Sequence, residues 1–189
     1  MKPIFLSTII SLFLTFSLTA QTNLQGIYLL ESDFVNHKIS YSPVEGKKYK
    51  FHLNEFANSL FINIVICDST FKFYKDSVFG YRNKEGICFR FYQKNSYEII
   101  SLTQEIVLYK QVIKSGLKNS EYYTNYYFSV NTNSPLQPLS KWNLKNAFFT
   151  NNEFHELLDM YFNNDSDLCK YDNFYQTYKL NTVLKKSIK

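Results

Sequence analysis

Residues 71–130 read FKFYKDSVFGYRNKEGICFRFYQKNSYEIISLTQEIVLYKQVIKSGLKNSEYYTNYYFSV, and their pattern decides the fold. Phe71/Phe73, Ile87/Phe89/Phe91, Ile106/Leu108 and Tyr122/Tyr126/Phe128 stand two and four apart, interleaved with Lys72, Arg90, Lys110 and Asn125. Successive side chains of a strand point to opposite faces, so this alternation predicts a half-buried antiparallel sheet. Almost no helical period competes with it. Asn83-Lys84-Glu85-Gly86 is polar and ends on glycine, which suits a hairpin loop into a strand at 87–93. Lys94-Asn95-Ser96 turns the chain into a strand at 97–102, and Thr103-Gln104 leads into another at 105–112. Residues 114–120, with Gly116, loop to a last strand at 121–130.

Upstream, GIYLL at 26–30 is a short strand expected to open the same sheet, and 31–37 make one helical turn with Ser32 or Asp33 as its cap. Tyr49, Phe51 and Leu53 alternate with Lys48, Lys50 and His52, a one-sided strand. LFINIVIC at 60–67 is apolar on both faces and β-branched, which argues for a strand covered on both sides. Strands at 70–75 and 78–82, the latter kinked at Gly80, complete a set of eight or nine, the cadence of a meander or partial barrel.

The character changes at Asn131. NTNSPLQPL at 131–139 carries Pro135 and Pro138 and reads as a stiff, extended linker. Ser140 is placed to cap a first helix running to about Phe149, with Leu139 and Leu144 as its hydrophobic staple. Phe154, Leu157, Leu158, Tyr161 and Phe162 recur at helical spacing, capped by Asn151 or Asn152. A third helix is expected over 166–178, with Leu168, Tyr171, Tyr175 and Tyr178 on one stripe. Strands first and helices afterwards predict an α+β protein: about eight antiparallel strands followed by two or three C-terminal helices packed on them. One domain over 21–189 accommodates this, β-rich over 21–130 and helical over 139–185, because a chain of this length buries one self-sufficient core.

Residues 1–20 carry a single charge, Lys2, before an apolar and hydroxyl run that ends on Ala20, the pattern of a secretory leader cleaved after Ala20. The run is short for a membrane anchor and no spanning stretch follows it. Its removal leaves a net charge of about +4. Aromatics make up 19% of the chain, but Ile, Lys and Asn are also abundant while Gly, Ala and Pro are scarce. Codon bias in an AT-rich genome produces that composition, so it supports a filled core and nothing more specific. Cys67, Cys88 and Cys169 are odd in number, so at least one is unpaired; a Cys67–Cys88 bridge is conceivable, and buried inert thiols are the expectation.

His155-Glu156-Leu157-Leu158-Asp159 approaches the zinc-protease helix, but Asp159 stands where the second histidine belongs. Asn163, Asp165 and Asp167 begin like a calcium loop, yet Leu168 replaces its glycine and Phe174 its closing glutamate. No nucleophile elbow is written into the chain, and five glycines leave little for a phosphate loop. Six acidic residues against Lys170 between 153 and 172 fit a solvated helix face. Tyr123 and Tyr127 form one face of the last strand and, with Trp142, offer either a platform for sugars or a bed for the helices. The basic balance suits anionic glycans or lipid headgroups better than nucleic acid in an exported protein.

DSVFGYR (76–82), FRFY (89–92), YYFS (126–129) and the run PLQPLS…NLKNAF…EFHELLD (135–159) resemble a family of small exported proteins from the Bacteroidota. The likeness covers most of the mature chain and implies export and a shared architecture, without any activity or catalytic residue. The expected function is a non-catalytic binding or interaction module of the cell envelope, periplasmic or extracellular, whose partner is an envelope glycan or a protein. No cofactor, metal or nucleic acid is expected, nor a transmembrane segment after cleavage. The alternative is a hydrolase of envelope or dietary polymers acting through His155, Glu156 and Asp159.

Overall fold

A computed structural model describes residues 24–53, 59–114 and 121–188. The leader at 1–20 and the loop at 115–120 lie outside the described residues. The alternating stretch forms β5 (Gly80–Arg82), β6 (Cys88–Tyr92), β7 (Asn95–Leu102), β8 (Val107–Lys114) and β9 (Tyr122–Ser129), each antiparallel to the next. β1 (Gly26–Tyr28) joins at the β5 edge and β10 (Gln137–Pro138) at the β9 edge, giving seven strands curled into a half-barrel. Gly80 is required within it, since a Cβ there would stand 2.0 Å from the Phe89 carbonyl oxygen. The fold is therefore α+β, a meander with helices after it.

Three upstream strands leave this sheet. β2 (Tyr49–His52), β3 (Phe61–Ile66) and β4 (Ser69–Tyr74) form a sheet of their own, inserted between β1 and β5. Its central strand β3 buries Ile62 and Ile64 fully, while Phe61, Asn63 and Val65 are half-buried on the other face. Lys72 covers that second face in part, its ammonium 3.7 Å from the Phe61 ring centre.

Residues in register across antiparallel strands share a face. On one face, Ile27, Tyr81 and Phe91 pack against Ile62, Ile64 and Val78, so the small sheet lies over β1, β5 and β6. Farther along the same face, Ile106, Leu108 and Phe128 meet the C-terminal helices α2 (Lys141–Ala147), α3 (Asn152–Tyr161) and α4 (Lys179–Lys186). One sheet face thus carries two roofs. The opposite face holds Tyr97, Val107, Tyr109 and Tyr127 under Leu136, with Phe34 of α1 (Glu31–Val35) packed between Tyr28 and Phe79.

The caps follow the sequence at α2 and α3: Ser140 Oγ accepts the Asn143 N–H at 3.1 Å, and Asn151 Oδ1 accepts the Phe154 N–H at 2.9 Å. At α1 the cap is Leu30, two or three residues earlier than expected, because Asp33 sits at the third helical position and accepts the Leu30 N–H at 3.1 Å. The helix expected over 166–178 is absent. Asp172 Oδ1 takes the N–H groups of Phe174 and Tyr175 at 2.9 and 3.2 Å, and that local turn competes with helix. Gln176, at φ +51°, then completes a hairpin of β11 (Tyr171–Asp172) and β12 (Thr177–Tyr178). The true last helix, α4, buries Leu180, Val183 and Leu184 at spacings of three and one. The proline-bearing linker is not extended throughout: residues 131–134 bend, with Asn131 Oδ1 accepting the Asn133 and Ser134 N–H groups at 2.9 and 2.8 Å, and the end of the linker supplies β10.

Candidate functional site

Between the small sheet and the half-barrel lies a cleft of about 670 Å³. Its floor is a cross-strand row: Tyr81 opposite Phe89, Phe89 opposite Glu98, and Glu98 opposite Lys110. Tyr81 and Phe89 stack with centroids 4.7 Å apart and planes 2° from parallel. Lys110 Nζ meets Glu98 Oε1 at 2.8 Å. The row continues to Tyr126 on β9, whose hydroxyl pKa is raised by burial and by the Cys169 thiol beside it. The Glu98–Lys110 pair therefore stands at the seam between the two roofed halves.

Leu60 and Lys75 bring the end of the small sheet to the cleft, tied by the Lys75 N–H to the Leu60 carbonyl at 2.9 Å. Lys75 is 4% exposed, and its ammonium lies 5.9 Å from the Phe91 ring centre. The β6–β7 hairpin contributes Gln93, Lys94, Asn95 and Ser96. Tyr92 pairs with Asn95, so the turn is the two residues Gln93-Lys94, at φ +47° and +70°, one residue earlier than the expected Lys94-Asn95-Ser96. Ser96 Oγ lines the cleft, buried and without a hydrogen-bond partner among the described residues. Among the described lining residues, Glu98 is the one carboxylate, and it is engaged by Lys110.

No family model, curated protein or solved structure matches this chain. The chemistry must be read from the side chains alone.

The residues singled out in the sequence lie elsewhere. His155 Nε2 is 3.0 Å from both the Lys145 and Phe148 carbonyl oxygens, so it carries a proton and donates it, closing α2 onto α3. Asp159 is held by Lys141 at 2.8 Å and Lys145 at 2.6 Å, which keep its carboxyl down at about 2. Glu156 is exposed, and none of the three lines the cleft. The acidic loop is similarly committed: Asp165 Oδ1 accepts the Lys141 N–H at 2.8 Å, and Asp167 pairs with Lys170 at 2.6 Å. Among the described residues no group of three or more His, Cys, Asp or Glu could hold a metal ion. Cys67, Cys88 and Cys169 are free thiols and none is buried as expected: Cys67 is exposed, and Cys88 and Cys169 are half-buried.

Tyr123 and Tyr127 do not bed the helices, which lie on the opposite face with Phe128. Tyr127 packs edge-on to Tyr97 at 5.0 Å under Leu136, while Tyr123 is 50% and Trp142 73% exposed. Of these three residues Tyr127 belongs to a core, while Tyr123 and Trp142 present their rings to solvent. The sequence reading passed over Lys75, Ser96 and Glu98. The signal was available in part: Lys110 keeps the same alternation as Ile106 and Leu108, which marks it as facing inward with them rather than opposite them.

Proposed function

We propose that this protein is an exported, non-catalytic binding module of the cell envelope, and that its ligand occupies the cleft between the small sheet and the half-barrel. One observation carries this reading. The cleft is lined by the side-chain amides of Gln93, Asn95 and Gln111 and by the Lys94 and Lys110 ammonium groups, and its described carboxylate, Glu98, is held in an ion pair. General acid–base chemistry needs a titratable group free to take and return a proton within reach of substrate, and Glu98 is spoken for by Lys110. A cavity of this size falls inside the range of about 300–1,000 Å³ typical of small-ligand sites.

The leader-like residues 1–20 and the resemblance to exported proteins of the Bacteroidota support export. Among the described residues no helix is long and apolar enough to cross a membrane. Of the residues named for the hydrolase alternative, His155 and Asp159 hold α2 and α3 together, and Glu156 is exposed on α3 away from the cleft. Cell fractionation of the tagged protein, followed by identification of what co-purifies, tests the proposal. Recovery in the envelope or medium with a bound, unaltered glycan or protein supports it; retention in the cytoplasm, or turnover of a co-purifying polymer, overturns it.

A further inference from the structure

Resting on that reading, we infer that the ligand of the cleft is an extended polypeptide segment, which lies along the free edge of β8 as an added strand. The ladder between β7 and β8 stops at Glu98 opposite Lys110, yet both strands run on past that point. Residues 95–97 of β7 pair with β6, and residues 111–114 of β8 pair with β9. Among the described residues neither stretch has a register partner across the gap. An unpaired strand presents alternate N–H and C=O groups sideways, which is a template for another strand. Asn95 and Ser96 line the cleft from one side of the gap, and Gln111 and Val112 line it from the other. Neighbours on a strand point to opposite faces, so the cleft meets both strands at their backbones and does not rest on one face.

The four residues of β8 beyond Lys110, at about 3.3 Å each, make an edge of about 13 Å, enough for four or five residues of ligand. Val112 shares its face with Lys110, the face over which Leu60 brings the small sheet, and the two apolar side chains are 56% and 45% exposed. Alternate ligand residues pointing that way are therefore apolar. The side-chain amides of Gln93, Asn95 and Gln111 carry the donor and acceptor of a peptide bond and match a main chain. An oligosaccharide lacks the regular N–H and C=O repeat of the edge. A second folded copy does not fit either, because its own β8 edge lies within the same cleft. Val112 is exposed, so Val112→Lys charges the edge without threatening the fold and weakens the ligand about tenfold, whereas Val112→Ile keeps it.

The test is amide NMR with hydrogen exchange on the purified protein. The probes are capped hexapeptides with threonine at odd positions and valine, isoleucine, phenylalanine or tyrosine at even ones, the same peptides methylated on their backbone nitrogens, and chitohexaose. Shifts and slowed exchange at residues 111–114 with a plain peptide, lost on methylation, weakened about tenfold by Val112→Lys and retained in Val112→Ile, support the inference. Equal binding of the methylated peptides overturns the added strand. Chitohexaose moving those amides where no peptide does overturns the polypeptide class and leaves the binding-module reading standing. Silence at 111–114 with every probe overturns the inference, and the fractionation experiment still decides that reading. Dimer formation through the same amides without peptide gives the edge to a second copy and overturns the inference. Cleavage of a peptide overturns the binding-module reading as well.

Discussion

Arg90 places a full positive charge where only 6% of the residue is exposed. Its Nη1 donates to the Tyr109 hydroxyl at 3.1 Å and to the Ser134 carbonyl at 3.0 Å. Ser129 Oγ donates to the Asn131 carbonyl at 2.6 Å, so the 2.9 Å bond between Tyr109 and Ser129 has Tyr109 as donor. Arg90, Tyr109 and Ser129 therefore form one relay with both hydroxyl protons assigned. The rings of Phe79, Tyr92 and Tyr109 surround the guanidinium at 5.6–5.9 Å and soften its desolvation. Arg90→Ala should cost about 2–4 kcal/mol in urea unfolding, through the lost bonds and the cavity. Arg90→Met fills the volume without the charge and should cost only about 1 kcal/mol. Equal losses in the two variants would sink this account.

At the surface, Asp159 ties α2 to α3 through Lys141 and Lys145, and its carboxyl is lowered from 3.8 to about 2 by those hydrogen bonds. A depressed acid stabilises the fold fully above its unfolded pKa, and that contribution disappears as pH falls through the folded value. Melting curves between pH 5 and about pH 2 should therefore show a steeper acid decline for the natural protein than for Asp159→Asn. High salt should narrow the gap, because the group is exposed. Parallel curves would show the bridges to be inert.

At the scale of elements, caps and turns decide where segments begin. Replacing Ser140 or Asn151 with Ala should lower stability by about 1 kcal/mol each by chemical denaturation. The Asn151 variant should be the more costly, because its Nδ2 also donates to Ser187 Oγ at 3.0 Å and anchors the end of α4. A loss confined to Ser140→Ala would contradict that second role. Both caps were legible in the sequence, since a hydroxyl or amide just before an apolar helical period has one well-defined job. So were the β5–β9 meander and the Asn83–Gly86 loop, where Ile87 N–H bonds Asn83 Oδ1 at 2.8 Å. The third helix was misread because tyrosines at helical spacing also suit a hairpin, and Asp172 decided between them through backbone bonds that periodicity does not register. The cleft was illegible for a related reason: Lys75, Ser96, Glu98 and Lys110 converge only once the small sheet folds back over the large one.

For the whole molecule, the half-barrel contributes residues to both roofed cores, Tyr81 and Phe91 to one and Leu108 and Phe128 to the other. Neither roof has its core without that shared sheet, so the two should melt together. Ile64→Ala under the small sheet and Leu158→Ala under the helices each remove a fully buried side chain, at about 2–5 kcal/mol. Circular dichroism of the strands and fluorescence of Trp142 on α2 should report coincident transitions in both variants. A separate, earlier fluorescence transition in Leu158→Ala would show that the helices form an independent unit.

The Gln93-Lys94 turn sets heat tolerance against recognition. Two residues with side chains occupy the left-handed region there, where Asn-Gly is the relaxed choice, and the exchange should raise the unfolding midpoint by about 1 kcal/mol equivalent. It would also remove the ammonium that the hairpin lends to the cleft. Selection of variants for thermal hardiness alone should therefore drift toward Asn-Gly and yield robust proteins whose cleft has lost a cation.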